Sequence, residues 1–192
     1  MKIPGLVLTG GASTRMGRPK ADVRWDGERL ADRVARVVTS VCEPVLEVGP
    51  GFTTLPSVVE DPPGRGPLAA LVAGVDALAA DGALPPVLLV AVDMPFVTGA
   101  LLTFLCDRPG HGTVVPVTAG HAQPLCARYD ADACERAALL VAAGERSMHA
   151  LLASVAVELV PEHDWHAVAP QHALTDVDTP ADLARWNEHH DG

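Results

Sequence analysis

Apolar positions along this chain fall into short unbroken runs, and these alternate with segments whose apolar residues recur at helical spacing. Residues 3–9 form such a run and empty into Gly10-Gly11, the pattern of a strand buried on both faces. From 28 to 40, Leu30, Val34, Val37 and Val38, continued by Val41, line one side of a predicted helix. Arg29, Arg33 and Arg36 fall mostly opposite them, as on a solvated face. A second strand is predicted at Val45–Val48, stopped by Gly49-Pro50-Gly51, and a short third at 57–60. Pro62-Pro63-Gly64-Arg65-Gly66 then leads into an Ala/Leu helix over 67–80 with Pro67 in its first turn. Residues 86–92 are the most apolar run and predict the central strand, which ends at Asp93-Met94-Pro95.

The same alternation continues through the second half. A helix is predicted over 98–107 with Thr98 as its N-cap. Residues 113–117 and 123–129 read as strands, with a turn at Ala119-Gly120 between them. A helix over 130–143 ends at Gly144, followed by a short helix at 147–153 and a strand at 155–160. Residues 161–175, rich in His and Pro, read as loop. Thr179-Pro180-Ala181-Asp182 is a capping pattern that opens a last helix through about His189. Strand-helix alternation predicts an α/β domain, a mostly parallel sheet with helices on both faces. Residues 111–129 break the rhythm and predict a small antiparallel excursion. Nothing divides the chain, so residues 1–192 are expected to form one domain. Ligands of such sheets bind beyond the carboxyl ends of the strands, which points to the loops at 10–20, 61–66 and 93–97.

Composition narrows the class. The apolar content of 48% and mean hydropathy of +0.22 exclude a disordered chain. No run of about 18 apolar residues is present to span a membrane, and the first residues enter a strand without the h-region of a signal peptide. A cytoplasmic protein is expected. A net charge of −10 argues against binding of nucleic-acid polymers. The charge is uneven: residues 1–40 hold eight of the fourteen Lys and Arg against four acids. Such a basic stretch in an acidic chain suits a local anion site. Cys42, Cys106, Cys126 and Cys134 contain no C-x-x-C spacing and read as buried free thiols.

The segment richest in chemistry is Leu8-Thr9-Gly10-Gly11-Ala12-Ser13-Thr14-Arg15-Met16-Gly17-Arg18-Pro19-Lys20. Glycines after a strand bring backbone N–H groups close to phosphate oxygens. Ser13 and Thr14 add hydroxyl donors, and Arg15 and Lys20 add positive charge. It is neither of the common P-loop and dinucleotide fingerprints. Asp93, at the end of the most apolar strand, would be costly to bury unless paired or metal-bound. Mg²⁺ takes one or two carboxylates together with phosphates and water, so Asp93 is the expected metal ligand, with Asp178 as a possible second. Asp61 reads either as a turn acid or as a contact to a nucleotide's base or ribose. His163 and His166 read as solvated loop residues rather than a zinc site.

The pattern L-x-G-G-x-S-x-R-M-G-x-x-K resembles the N-terminal signature of nucleotidyltransferases with a Rossmann-like domain, and within them the molybdenum cofactor guanylyltransferases. Gly64-Arg65-Gly66-Pro67-Leu68, Val92-Asp93-Met94-Pro95-Phe96, Gln123-Pro124-Leu125 and Asp176-Val177-Asp178-Thr179-Pro180 resemble further segments of that family, in the family's order. The resemblance implies a three-layer Rossmann-like fold and Mg²⁺-dependent transfer of GMP from GTP to the terminal phosphate of molybdopterin. It implies Arg15 and Lys20 as catalytic residues, and Leu8, Thr9, Gly10, Gly11, Ser13, Lys20, Asp61 and Asp93 as nucleotide-binding. Asp93 would also hold the metal. A molybdoenzyme or another cofactor-biosynthesis protein is the implied partner. Pro19 before the signature lysine is more usual in cytidylyl relatives, and Asp176 and Asp178 replace asparagines. A molybdopterin cytidylyltransferase or another small-molecule NTP transferase therefore stays open. So does a non-catalytic nucleotide-binding adaptor, which the intact Arg15, Lys20 and Asp93 disfavour.

Overall fold

The computed structural model describes residues 2–10, 19–110, 112–177 and 182. Ten strands and six α-helices follow in chain order among them. The first half comprises β1 (Gly5–Leu8), β2 (Arg24–Trp25), β3 (Glu28–Arg29), α1 (Leu30–Val41), β4 (Val45–Val48), β5 (Ser57–Val58), α2 (Pro67–Ala80) and β6 (Val87–Ala91). The second comprises α3 (Gly99–Cys106), β7 (Thr113–Thr118), β8 (His121–Ala122), β9 (Cys126–Tyr129), α4 (Ala131–Ala142), α5 (Met148–Leu152), β10 (Val157–Val160) and α6 (Glu162–Trp165).

The main sheet runs β10-β7-β9-β6-β1-β4-β5, with β8 hairpinned onto β7. β1 pairs in parallel with both β4 and β6, β4 with β5, and β7 with β10. β9 is wedged antiparallel between β6 and β7. The expected antiparallel excursion is thus built into the middle of the sheet. The chain leaves β1 toward β4 and β5, then returns to its other side as β6. The switch point between β1 and β6 opens a crevice at their carboxyl ends.

The unbroken apolar runs have a direct cause: each central strand is covered on both faces. Leu6, Leu8, Leu46, Val48, Leu89 and Ala91 pack with Leu68, Leu71 and Leu78 of α2 and with residues of α4 and α5. Val7, Val45, Leu88 and Val90 face the other way, onto Val34 and Val38 of α1 and Leu101, Leu102 and Leu105 of α3. Helix α2 sits so close that a methyl group on Gly74 would come within 2.7 Å of the Leu6 methyls and 2.9 Å of Val48 Cγ2. Caps follow the sequence: Thr98, Asp130 and Ser147 each accept from the backbone N–H three residues on.

Three expectations are corrected. The helix predicted from 28 begins at Leu30, because Arg24–Trp25 and Glu28–Arg29 close a two-stranded hairpin over Asp26-Gly27. Both turn residues have positive φ (50° and 76°), the conformation that an Asp-Gly hairpin favours. The solvated Arg face is only partly realised. Arg36 is exposed and pairs with Glu28, but Arg33 lies 4.4 Å over the Trp25 ring and donates to the Pro95 carbonyl at 2.7 Å. The loop read over 161–175 contains α6, whose Trp165 is fully buried and donates its indole N–H to the Val117 carbonyl at 2.9 Å. All four cysteines are free, with Cys42, Cys126 and Cys134 buried and Cys106 half-buried. The helix predicted from 179 lies outside the described residues.

Candidate functional site

At the switch point, β1 delivers Leu8, Thr9 and Gly10, and β6 delivers Ala91, Val92 and Asp93, to one cavity of about 330 Å³, a volume suited to a small-molecule ligand. Hydrogen bonding extends the strand pairing into it: Val92 N–H donates to the Leu8 carbonyl at 2.9 Å, and Thr9 N–H to the Val48 carbonyl at 3.1 Å. Lys20 comes in on a 3-10 turn at Lys20–Asp22, which places its Nζ 3.5 Å from Asp93 Oδ2. The two side chains, 73 residues apart in sequence, are 19% and 24% exposed. A cation and a carboxylate kept partly wet at a strand terminus remain available to a polyanion and its counter-ion, since neither is sealed in the core.

A further part of the lining comes from the stretch between β5 and α2. Glu60, Gly64, Gly66 and Pro67 line it, and Val48, Ala70 and Leu125 supply apolar surface. Gly64 and Gly66 hold φ of 80° and 94°, backbone that a side chain would strain. Gly66 is the N-cap of α2 and Pro67 opens the helix, so the helix N-terminus is set at the cavity edge. Behind Asp93, Val177 N–H donates to the Asp93 carbonyl at 2.7 Å, which seats the Asp176 segment beside the site.

The residues expected from sequence separate into three groups. Leu8, Thr9, Gly10, Lys20 and Asp93 converge on the cavity. Asp61 is exposed and does not line it; its neighbour Glu60 does. Gly11, Ser13, Arg15 and Asp178 lie outside the described residues.

Two acids escaped the sequence reading. Glu47 lies within β4, wholly buried. Its Oε1 accepts from the Thr9 hydroxyl at 2.5 Å and from Gly51 and Phe52 N–H at 3.0 and 2.7 Å. Its Oε2 accepts from the N–H and the hydroxyl of Thr53, both at 2.7 Å. Burial pushes the carboxyl up, but the donors from Thr9, Phe52 and Thr53 outweigh it and hold it below the usual range. This network ties the cavity residue Thr9 to loop 49–53. Gly49 approaches so closely that a methyl group there would collide with the Thr9 hydroxyl. The legible signal was a lone acid inside an apolar strand, which is affordable only when fully hydrogen-bonded. Glu60 is half-buried, and its Oε1 accepts from Gly64 N–H at 2.8 Å. Nothing in the sequence distinguished it from Asp61.

Comparison with known proteins places the chain in a family. Residues 5–168 match the family described as the MobA-like NTP transferase domain. A protein of Bacillus cereus named a probable molybdenum cofactor guanylyltransferase is 33% identical over 182 residues, 88% of each chain. A Bacillus anthracis protein of the same name is also 33% identical, with the same coverage. Among solved structures, molybdopterin-guanine dinucleotide biosynthesis protein A from Archaeoglobus fulgidus superposes with a TM-score of 0.81 at 22% identity, covering 97% of both chains. A nucleotidyl transferase from Methanothermobacter superposes at 0.75 with 17% identity, covering 98% of this chain and 97% of that one. These two share the fold, mostly parallel with helices around the sheet.

Proposed function

Because the chain belongs to the family of MobA-like NTP transferase domains, and is thus a nucleotidyltransferase, we propose that it transfers GMP from GTP to the terminal phosphate of molybdopterin or its molybdenum form. The observation that carries this reading is the meeting of Lys20 and Asp93 at the mouth of a glycine-edged cavity. The acceptor is a phosphate monoester with a second pKa near 6. Its oxygen is already anionic at neutral pH and needs no general base. That oxygen forms the new bond to the α-phosphorus, the bond from the α-phosphorus to the bridging oxygen breaks, and pyrophosphate carries the electron pair away. What the chain must supply is alignment and positive charge where negative charge gathers.

Gly10 brings backbone to the triphosphate, with Gly11, Ser13 and Arg15 proposed to continue that cradle. Lys20 holds the α-phosphate and the leaving pyrophosphate. Asp93 is the one described carboxylate at the phosphate end of the cavity. A single carboxylate beside phosphate oxygens and water is the donor set that suits Mg²⁺ rather than an all-protein cage. Mg²⁺, when bound there, would neutralise phosphate charge. Asp61, being exposed, is left as a contact to ribose at the cavity rim. No described helix is long and apolar enough to cross a membrane, and we place the reaction in the cytoplasm, with the whole chain acting as one domain.

Pyrophosphate release, measured with GTP, CTP, ATP and UTP, with and without molybdopterin, tests the reading. Release from GTP only when molybdopterin is present is expected. Release from CTP instead, the outcome that Pro19 would favour, identifies a cytidylyltransferase. Release from none of the four identifies a nucleotide-binding protein without transfer activity.

A further inference from the structure

The charged residues of the cavity lining come from two separate stretches of chain. Lys20 and Asp93 stand at the end where β1 and β6 finish, and Glu60 stands on the wall formed by Gly64, Gly66 and Pro67. Among the described residues no cation lies within 4 Å of the Glu60 carboxylate. A carboxylate that accepts hydrogen bonds suits the donor edge of an uncharged base better than the oxygens of a triphosphate. Val48, Ala70 and Leu125 supply the apolar surface that a base plane needs.

An ionised carboxylate only accepts hydrogen bonds. Guanine alone among the four bases presents two adjacent donors on its Watson–Crick edge, the ring N1–H and the exocyclic 2-amino group. Adenine and cytosine place an amino group next to an acceptor nitrogen, and uracil offers one N–H between two carbonyls. The bond from Gly64 N–H to Glu60 Oε1 fixes the side chain while using one lone pair, leaving acceptor capacity on both oxygens.

We infer that Glu60 determines the base, its carboxylate accepting from N1–H and the 2-amino group of guanine. This rests on the guanylyl reading above and names the residue behind it. Glu60 recognises the base and takes no part in the bond exchange.

Isothermal titration of the full-length chain with Mg²⁺-GTP and with Mg²⁺-ITP, whose base lacks the 2-amino group, tests the assignment. One hydrogen bond to a charged acceptor corresponds to roughly a 10- to 100-fold preference for GTP over ITP in the wild type. In Glu60→Gln an amide oxygen can still accept from Gly64 N–H, but the amide nitrogen then meets the donor edge of guanine. The GTP-to-ITP affinity ratio should fall to about 1, and Glu60→Ala should show the same collapse. An unchanged ratio in both variants, even with both nucleotides weakened, overturns the assignment: Glu60 would then only hold the Gly64 loop. A collapse in Asp61→Asn instead of Glu60→Gln overturns it as well. A wild-type chain that binds GTP over ITP through Glu60 yet releases no pyrophosphate with molybdopterin refutes the transferase reading and leaves the base assignment standing.

Discussion

Replacing Glu47 by Gln should destabilise the protein far more than its position in the middle of a strand suggests. In the native state Oε1 serves Thr9, Gly51 and Phe52, and Oε2 serves Thr53 twice. A glutamine must put an NH₂ donor where one oxygen was. Placed at Oε2, it faces Thr53 N–H; the Thr53 hydroxyl can turn and accept, but the backbone N–H cannot. Placed at Oε1, it faces two backbone donors, which is worse. The lower-cost choice forfeits one charge-assisted bond of about 1.5–3 kcal/mol and leaves a buried N–H poorly satisfied. The net loss should be about 2–4 kcal/mol, or about 4–16 °C in Tm for a chain of this size. Urea unfolding followed by circular dichroism at neutral pH reads it as a lower midpoint at constant slope. The sign of the pH dependence is a second check. The folded carboxyl titrates below its ordinary value, so its contribution is full above about pH 5 and fades as pH falls through the ordinary pKa of about 4.3 and then the depressed one. The gap between wild type and Glu47→Gln should therefore narrow in acid. Coincident midpoints at neutral pH would sink the claim that this network holds loop 49–53.

Lys20→Ala should lower turnover by about 10²-fold or more, the scale of a lost transition-state charge contact, while thermal unfolding stays near wild type; near-normal pyrophosphate release would remove Lys20 from that role. Asp93→Asn should raise the Mg²⁺ concentration needed for half-maximal rate, and an unshifted metal titration would exclude Asp93 as the ligand. Gly74→Ala adds a Cβ at 2.7 Å from the buried Leu6 methyls, an overpacking cost of about 1–3 kcal/mol that outweighs about 0.5–1 kcal/mol of helix propensity; calorimetry showing a raised Tm would contradict that. Trp165→Ala empties the largest fully buried side chain among the described residues and should cost about 3–5 kcal/mol in chemical denaturation; a loss under 1 kcal/mol would mean that α6 docks independently of it.

Much of the local structure was legible because its causes are local. Pro67 at the first turn fixed the start of α2, Thr98 and Asp130 capped the helices that follow them, and unbroken apolar runs marked β1 and β6. The hairpin over Asp26-Gly27 was equally local, but helical spacing from Leu30 onward drew the predicted helix two residues too far forward. Helix α6 had no such signal: four residues have too few turns to show a period, and their place is set by Trp165 entering the core.

The sequence by itself determined the class of fold, most of the helix and strand order, and that a glycine-rich segment follows β1 with an acid at the end of β6. It did not determine which strands are neighbours. Strands apolar on both faces carry no face preference, so the insertion of β9 between β6 and β7 is decided by how the helical layers pack. That packing decides the site as well. Lys20 meets Asp93 only because β1 and β6 are adjacent. Glu47 is stable in the core only because loop 49–53 folds back to donate to it. Glu60 rather than Asp61 faces the cavity because the chain between β5 and α2 presents one of two consecutive acids inward and leaves the other in water. One residue of register is below what spacing can resolve, and the tertiary structure sets it.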